Sequence, residues 1–131
     1  MRVYPDSCIV IYIVERHVEL LPRIRAIWKT TRPALVVSAL TRLECRVRPL
    51  RESNETVLHR YERFFQVAAN EWAGISDTVF DRAATLRARH HLKTPDALHL
   101  AAAIEAGCDE FWTNDHRLDT AASGHLRVLA L

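Results

Sequence analysis

Glycine is nearly missing from this chain: Gly74, Gly107 and Gly124 are the only ones among 131 residues. No two of them lie close enough to build a phosphate-cradling turn, which excludes a P-loop and a dinucleotide-binding crevice. Cysteine is equally sparse. Cys8, Cys45 and Cys108 are odd in number, far apart and free of any C-x-x-C pairing, so neither a zinc site nor a disulfide framework is indicated. A reducing, cytoplasmic setting is the expectation. No apolar run approaches the roughly 18 residues of a membrane span. The apolar stretch at residues 8–14 is short, follows Pro5 and Asp6 rather than a basic segment, and has no small-residue cleavage site behind it, so no signal peptide is expected. Lysine is scarce too. Lys29 and Lys93 are the only two, and arginine, the better residue for bidentate phosphate contacts, carries the remaining positive charge.

What is present is the composition of a globular domain. Hydrophobic residues make up 49% and charged residues 26%, with a formal net charge of +2. The length suits one domain, residues 1–131, able to bury a core.

Short apolar runs alternate with longer helical patterns. Residues 1–4 read as a strand ending at Pro5-Asp6, and residues 7–15 as a helix. Residues 19–30 carry Leu20, Leu21, Ile24, Ile27 and Trp28 at helical spacing. "RPALVVS" reads as a strand, and Ser38 as the N-cap of a helix over residues 39–48 in which Leu40, Leu43 and Val47 face the core. A long helix over residues 53–70 lines up Val57, Leu58, Tyr61, Phe64, Phe65 and Ala68. "EWAGIS" is a third strand, and Ser76 caps a helix over residues 77–91 with Val79, Phe80, Ala83, Leu86 and Leu92 on its apolar side. Thr94 caps the next helix, Pro95 fits its first position and Gly107 stops it. "EFWT" is the fourth strand, a short helix follows Asp115, and "LRVLAL" is the last strand. Strands alternating with helices imply a three-layer α/β fold around a parallel sheet of about five strands.

In such a sheet ligands bind beyond the carboxyl ends of the strands, where strand order reverses. Asp6 follows the first strand and Asp115 the fourth, so both stand on that rim. Asp96 lies in the first turn of a helix that runs back toward the other rim, and that helix therefore begins on the same rim. Glu44, in "SALTRLECRV", sits about a turn and a half into a helix that also starts there. Alone, each acid has an ordinary explanation: a helix-dipole partner, a turn former, a cap, or a surface partner for Arg48. Together they repel, and a bound cation resolves the repulsion. Oxygen-only ligands point to Mg²⁺, with Mn²⁺ as a substitute, rather than zinc. Such a centre activates water and holds a phosphodiester. With a metal to lower the pKa of water, His99 and His116 need no catalytic duty, and Asp119 is expected at the surface.

The order Asp6, Glu44, Asp96, Asp115, with "PDALHLAAAIEAGCDEFWTND" around the last two, resembles the PIN-domain nucleases, and more narrowly the toxins of VapC-type toxin–antitoxin pairs. The resemblance spans nearly the whole chain. It implies a PIN-like α/β/α sandwich with strand order 3-2-1-4-5 and a Mg²⁺-dependent endoribonuclease. Asp6, Glu44, Asp96 and Asp115 would be its catalytic, metal-holding acids, with Ser7, Thr113 and Asn114 as polar groups behind them. It further implies an RNA substrate, a cognate antitoxin and a homodimer. The antitoxin would lie in an apolar groove walled by residues 7–15 and 19–30, with Val14, Leu20, Ile24 and Trp28 as anchors. Arg42, Arg46 and Arg51, which crowd the Glu44 segment beside Arg48, are candidates for RNA phosphates. Two alternatives stay open: a DNA-directed nuclease of the same fold, and a catalytically silent scaffold of that fold. A phospho-accepting receiver domain is rejected, because neither lysine lies near the end of the last strand.

Overall fold

The computed structural model describes residues 1–131. Five strands form one all-parallel sheet: β1 (Arg2–Pro5), β2 (Ala34–Ser38), β3 (Glu71–Ala73), β4 (Glu110–Thr113) and β5 (Arg127–Ala130), in the order β3-β2-β1-β4-β5. Strand order reverses between β1 and β4, which pair through Val3 with Glu110, Tyr4 with Phe111 and Pro5 with Trp112. Seven helices cover the faces: α1 (Ser7–Val14), α2 (Leu20–Thr31), α3 (Ala39–Arg51), α4 (Glu55–Val67), α5 (Asp77–His90), α6 (Thr94–Glu105) and α7 (Leu118–Ala122).

The alternation of side chains along each strand supplies two cores. Val3, Leu35, Val37 and Trp112 point to one face and pack with Ile9, Val10, Ile24, Cys45, Tyr61 and Phe65 of α1–α4. Tyr4, Val36 and Phe111 point to the other and pack with Val79, Leu86, Leu100 and Leu118 of α5–α7. Both faces of the central strands are therefore buried, as their continuous apolar runs require. Alanines 97, 101, 102 and 103 let α6 lie close against its neighbours. No helix is long and apolar enough to cross a membrane.

Several local expectations change. In α3 the buried residues are Thr41, Cys45 and Pro49, while Leu43 and Val47 are 58% and 42% exposed. The cause is a capping box in which the Ser38 backbone N–H donates to Thr41 Oγ1 and the Thr41 N–H to Ser38 Oγ. That box turns Thr41 inward and sets the rotation of the whole helix. The helix also runs past Pro49 to Arg51, because a missing proline N–H removes one bond near the end of a helix already anchored by packing. Thr94 is the first helical residue of α6 rather than its cap; Lys93 takes the N-cap position without a side-chain bond. Ser76 holds the N-cap position of α5, again without a side-chain bond, and Phe80 is 53% exposed. The third strand stops at Ala73, before Gly74. Asn54 caps α4 by accepting from the Val57 N–H, after Ser53 turns the chain at positive φ.

Candidate active site

Asp6 occupies the residue after β1 and does two things there. Its backbone N–H donates to the Trp112 carbonyl at 2.8 Å, extending the β1–β4 pairing, and its Oδ1 accepts from the Ser7 N–H at 2.8 Å, capping α1. Its Oδ2 accepts from Thr113 Oγ1 at 3.1 Å. That same Thr113 hydroxyl accepts from the Asp115 N–H at 3.1 Å, so one side chain ties the end of β1 to the turn after β4. On the other side of Asp6, Ser7 Oγ donates to Glu44 Oε1 at 2.8 Å. Glu44 enters from α3 because the inward rotation of Thr41 and Cys45 brings its flank to the sheet edge.

Electrostatics divide the acids in two. Burial raises the Asp6 pKa above the ordinary aspartate value; Glu44 adds to the rise, while His99 and the two hydrogen bonds oppose it. Burial also raises that of Asp96, in the first turn of α6, and the charges of Asp6, Asp115 and Glu44 push it the same way. Asp96 is thus in the field of the other three. Glu44 moves down, mainly through its hydrogen bond from His99. Asp115 moves down through Arg117, whose Nε and Nη2 donate to it at 2.9 and 2.7 Å and whose backbone N–H donates at 2.9 Å. Two carboxylates are compensated and two are not.

The remaining expected residues fall as follows. Asn114 Nδ2 donates to the Tyr12 hydroxyl at 2.8 Å, an exposed contact on α1 rather than with the carboxylates. Arg42 lies 3.7 Å from Glu62 of α4, Arg46 is half-buried, and Arg51 is exposed at the far end of α3. Asp119 and His116 are exposed. His99 is 1% exposed and touches Glu44, Ser7 and Tyr4, a placement that sequence reasoning missed. Its signal was a histidine in an otherwise apolar face of α6. Arg117 was also missed.

As placed, no three side chains close into a finished metal shell, and Asp115 turns to Arg117. The donor set nevertheless fits a hard divalent cation: every acid oxygen is a suitable ligand, and neither Asp6 nor Asp96 pairs with an arginine or lysine, while the charge of Asp6 raises the Asp96 pKa. A nucleophilic thiol does not fit. Burial pushes Cys8, the nearest cysteine, up to about 12, and Cys108 up to about 11.

Of the concavities away from the acids, two stand out by their linings. One of about 500 Å³ between α5 and α7 is polar, with Arg82, Arg89, Thr120 and His125 in its lining. Another of about 390 Å³ is lined by Ile13, Leu21, Ile24 and Trp28 with Arg25 and Lys29 at its edge. This is the groove expected between the first two helices, with corrected walls. Val14 is buried in the core and Leu20 packs against it, so Ile13 and Leu21 line the groove instead.

The family model for the PIN domain matches residues 3–124. No curated protein matches the chain. Among solved structures, VapBC2 from Rickettsia felis bound to a DNA fragment from their promoter aligns with a TM-score of 0.77 at 13% identity, over 100% of this chain and 99% of that one. A toxin–antitoxin complex from Klebsiella pneumoniae aligns at 0.70 and 21% identity, over 98% and 96% of the two chains. VapC20 from Mycobacterium tuberculosis, described as a Sarcin-Ricin loop cleaving toxin, aligns at 0.71 and 14%, over 96% and 98%. At these identities the likeness shows the fold.

Proposed function

The chain belongs to the PIN-domain family, and on that premise we propose that it is a Mg²⁺-dependent endoribonuclease, the toxin of a VapC-type toxin–antitoxin pair. The observation that carries this reading is the uncompensated pair Asp6 and Asp96 at the point where strand order reverses, with Asp115 and Glu44 beside them. Burial, with the neighbouring carboxylates adding to it, disfavours the charged forms of Asp6 and Asp96, and a cation would offset that penalty. A bound Mg²⁺ or Mn²⁺ would lower the pKa of a coordinated water and neutralise phosphoryl oxygens.

The chain's own groups do the rest. Asp6, held from two sides by the Ser7 N–H and the Thr113 hydroxyl, keeps a fixed carboxylate orientation for the ion. Asp96 would supply further oxygens from the first turn of α6. Asp115 would be a further ligand for the ion, and Arg117, which donates to it at 2.7 Å, would be available to a phosphate at the site's edge. The water oxygen bonds to phosphorus and gives up a proton to solvent, the bond from phosphorus to the 3′-oxygen breaks, and the 3′-oxygen takes up a proton, giving a 5′-phosphate and a 3′-hydroxyl. Of the arginines, Arg117 is better placed for the substrate than Arg42, which faces Glu62.

The partner in this reading is an antitoxin peptide whose apolar side chains fill the Ile13–Leu21–Ile24–Trp28 groove. Solved toxin–antitoxin complexes of the same fold support it. The test uses purified protein with single-stranded RNA, structured RNA and DNA in Mg²⁺, Mn²⁺ or EDTA. RNA cleavage that needs the metal and disappears in Asp6→Asn is expected. Cleavage that persists in EDTA removes the metal reading, and cleavage of DNA alone removes the ribonuclease reading.

A further inference from the structure

His99 lies on α6, one turn beyond Asp96, and is among the few polar side chains in the core. Both of its ring nitrogens are engaged. Nε2 faces Glu44 Oε1 in the closest contact of the cluster, with Ser7 Oγ at 3.3 Å and Asp6 Oδ1 at 3.9 Å. Nδ1 is 2.8 Å from the Tyr4 hydroxyl, which in turn is 2.7 Å from Ser38 Oγ and 3.3 Å from Thr41 Oγ1. The Tyr4 ring meets the imidazole edge-on, at 5.7 Å between centroids. A carboxylate only accepts, so Nε2 is the donor in the Glu44 contact. A nitrogen that already carries its proton neither ligates a metal nor takes a proton from water. General base and ligand are therefore both excluded for this nitrogen as placed.

What remains is orientation. Glu44 is a long side chain on the flank of α3, 31% exposed, and an acid in that position commonly turns to solvent or to a cation one turn on. Here Arg48 pairs with Glu52 instead, and Glu44 is drawn inward by the Ser7 hydroxyl and His99. The ring is in turn fixed by Tyr4, whose hydroxyl is seated on the capping box that sets the rotation of α3.

We propose that His99 is a positioning residue: backed by Tyr4, it holds the Glu44 carboxylate over Asp6 so that Glu44 faces the divalent cation. This rests on the reading that the acids hold such an ion. It assigns the Tyr4–His99–Glu44 chain the part that partners behind a ligand play elsewhere, orienting it in advance.

The test is calorimetric titration of Mn²⁺ into the full chain, for wild type, His99→Leu, His99→Gln, Tyr4→Phe and Glu44→Gln, and for the first and third of these substitutions combined with Glu44→Gln. Circular dichroism checks the fold of each. His99→Leu should weaken Mn²⁺ by about 10-fold, the lower end of what such partners contribute. His99→Gln, whose amide N–H reaches toward Glu44, should recover most of that loss. Tyr4→Phe should give a smaller loss. In the Glu44→Gln background neither His99→Leu nor Tyr4→Phe should weaken Mn²⁺ further, whereas a merely structural role gives the same loss in both backgrounds. Equal losses in both backgrounds, or none in folded His99→Leu, overturn the proposal while leaving the metal site standing. If His99→Leu does not fold, Tyr4→Phe decides by the same criterion. Wild type that takes up no Mn²⁺ overturns the metal reading and this proposal with it.

Discussion

Acidic side chains stand at both ends of the sheet, and the two ends treat them differently. At the amino end, Arg2 donates through Nε and Nη2 to Glu71 at 3.1 and 2.5 Å, its backbone N–H donates to Asp109 at 2.8 Å, and its Nη1 donates to the Ala106 carbonyl at 2.5 Å. The last contact satisfies a carbonyl left open where α6 ends, just before Gly107 turns at a φ of +71°. Glu110 accepts from Trp112 Nε1 at 2.8 Å and lies 3.5 Å from Arg127. Each acid there has a donor. At the carboxyl end, burial raises the pKa values of Asp6 and Asp96, and neighbouring carboxylates add to the rise. At the amino end, paired acids tie the strands and the loops between them; at the carboxyl end, two acids are left without an arginine or lysine partner. Evolution of a stable fold alone would favour the first arrangement at both ends.

The contrast breaks most sharply in activity. Asp6→Asn and Asp96→Asn should each reduce RNA cleavage by about 100-fold or more, at or beyond the upper end of the loss from removing a ligand's supporting partner. Arg2→Ala, at the other end, should leave the initial rate of the folded protein unchanged. A gel-based cleavage assay at matched folded fraction reads both, and equal losses at the two ends would erase the distinction.

Next in size is the response to metal. Mg²⁺ at 10 to 100 times its dissociation constant should stabilise the wild type by about 1.4–2.7 kcal/mol. In Asp96→Asn that gain should shrink, and in EDTA the variant should melt above wild type because a repelling charge is gone. A helix-start aspartate with no other task predicts the reverse, with the variant melting lower in either condition. Thermal melts of both proteins in EDTA and in Mg²⁺ separate the two.

Arg2→Ala should then cost about 1 kcal/mol of stability, mostly from the lost bond to the Ala106 carbonyl. The Arg2–Glu71 pair adds little, being 36% and 45% exposed and screened by solvent. Denaturant melts at low and high salt check this, and most of the loss should persist at high salt.

The smallest effect is on pH dependence. Asp6 and Asp96 have folded pKa values above their unfolded ones, so the native state binds more protons than the unfolded chain. Their contribution is greatest below the unfolded value, near 4, and is lost as pH rises through the raised folded values. Glu44 and Asp115 act in the opposite sense: their stabilisation is present above the unfolded values and is lost as pH falls through the lowered folded ones. The two pairs partly cancel in wild type. Removing one raised group, in Asp96→Asn, should tilt the metal-free stability profile toward higher stability with rising pH. Denaturant melts across pH 3 to 7 in EDTA would show an unchanged slope if the crowding of charge is unimportant.

Much of this was legible along the chain because it depends on near neighbours. Apolar runs bounded by Pro5-Asp6, by Ser38 and by Asn114-Asp115 mark strands, and an acid just past a parallel strand must lie on the carboxyl rim whatever the rest of the fold does. The strand pattern, Ser38 as a cap and the common rim of Asp6, Asp96 and Asp115 follow from that alone. The rotation of α3 did not, because Leu40, Leu43 and Val47 form as good an apolar stripe as the one buried, and a capping box chose between them. Nor did the compensation of Glu44. Glu44 meets His99 across 55 positions of chain, and Tyr4 meets His99 across 95. Charge compensation is a matter of a few ångströms, and local spacing carries no information at that scale between segments so far apart. The sequence determined which residues would share a rim and set Arg117 two positions from Asp115; only tertiary packing decided that Glu44 would be met, because His99 reaches it from a helix on the other face of the sheet.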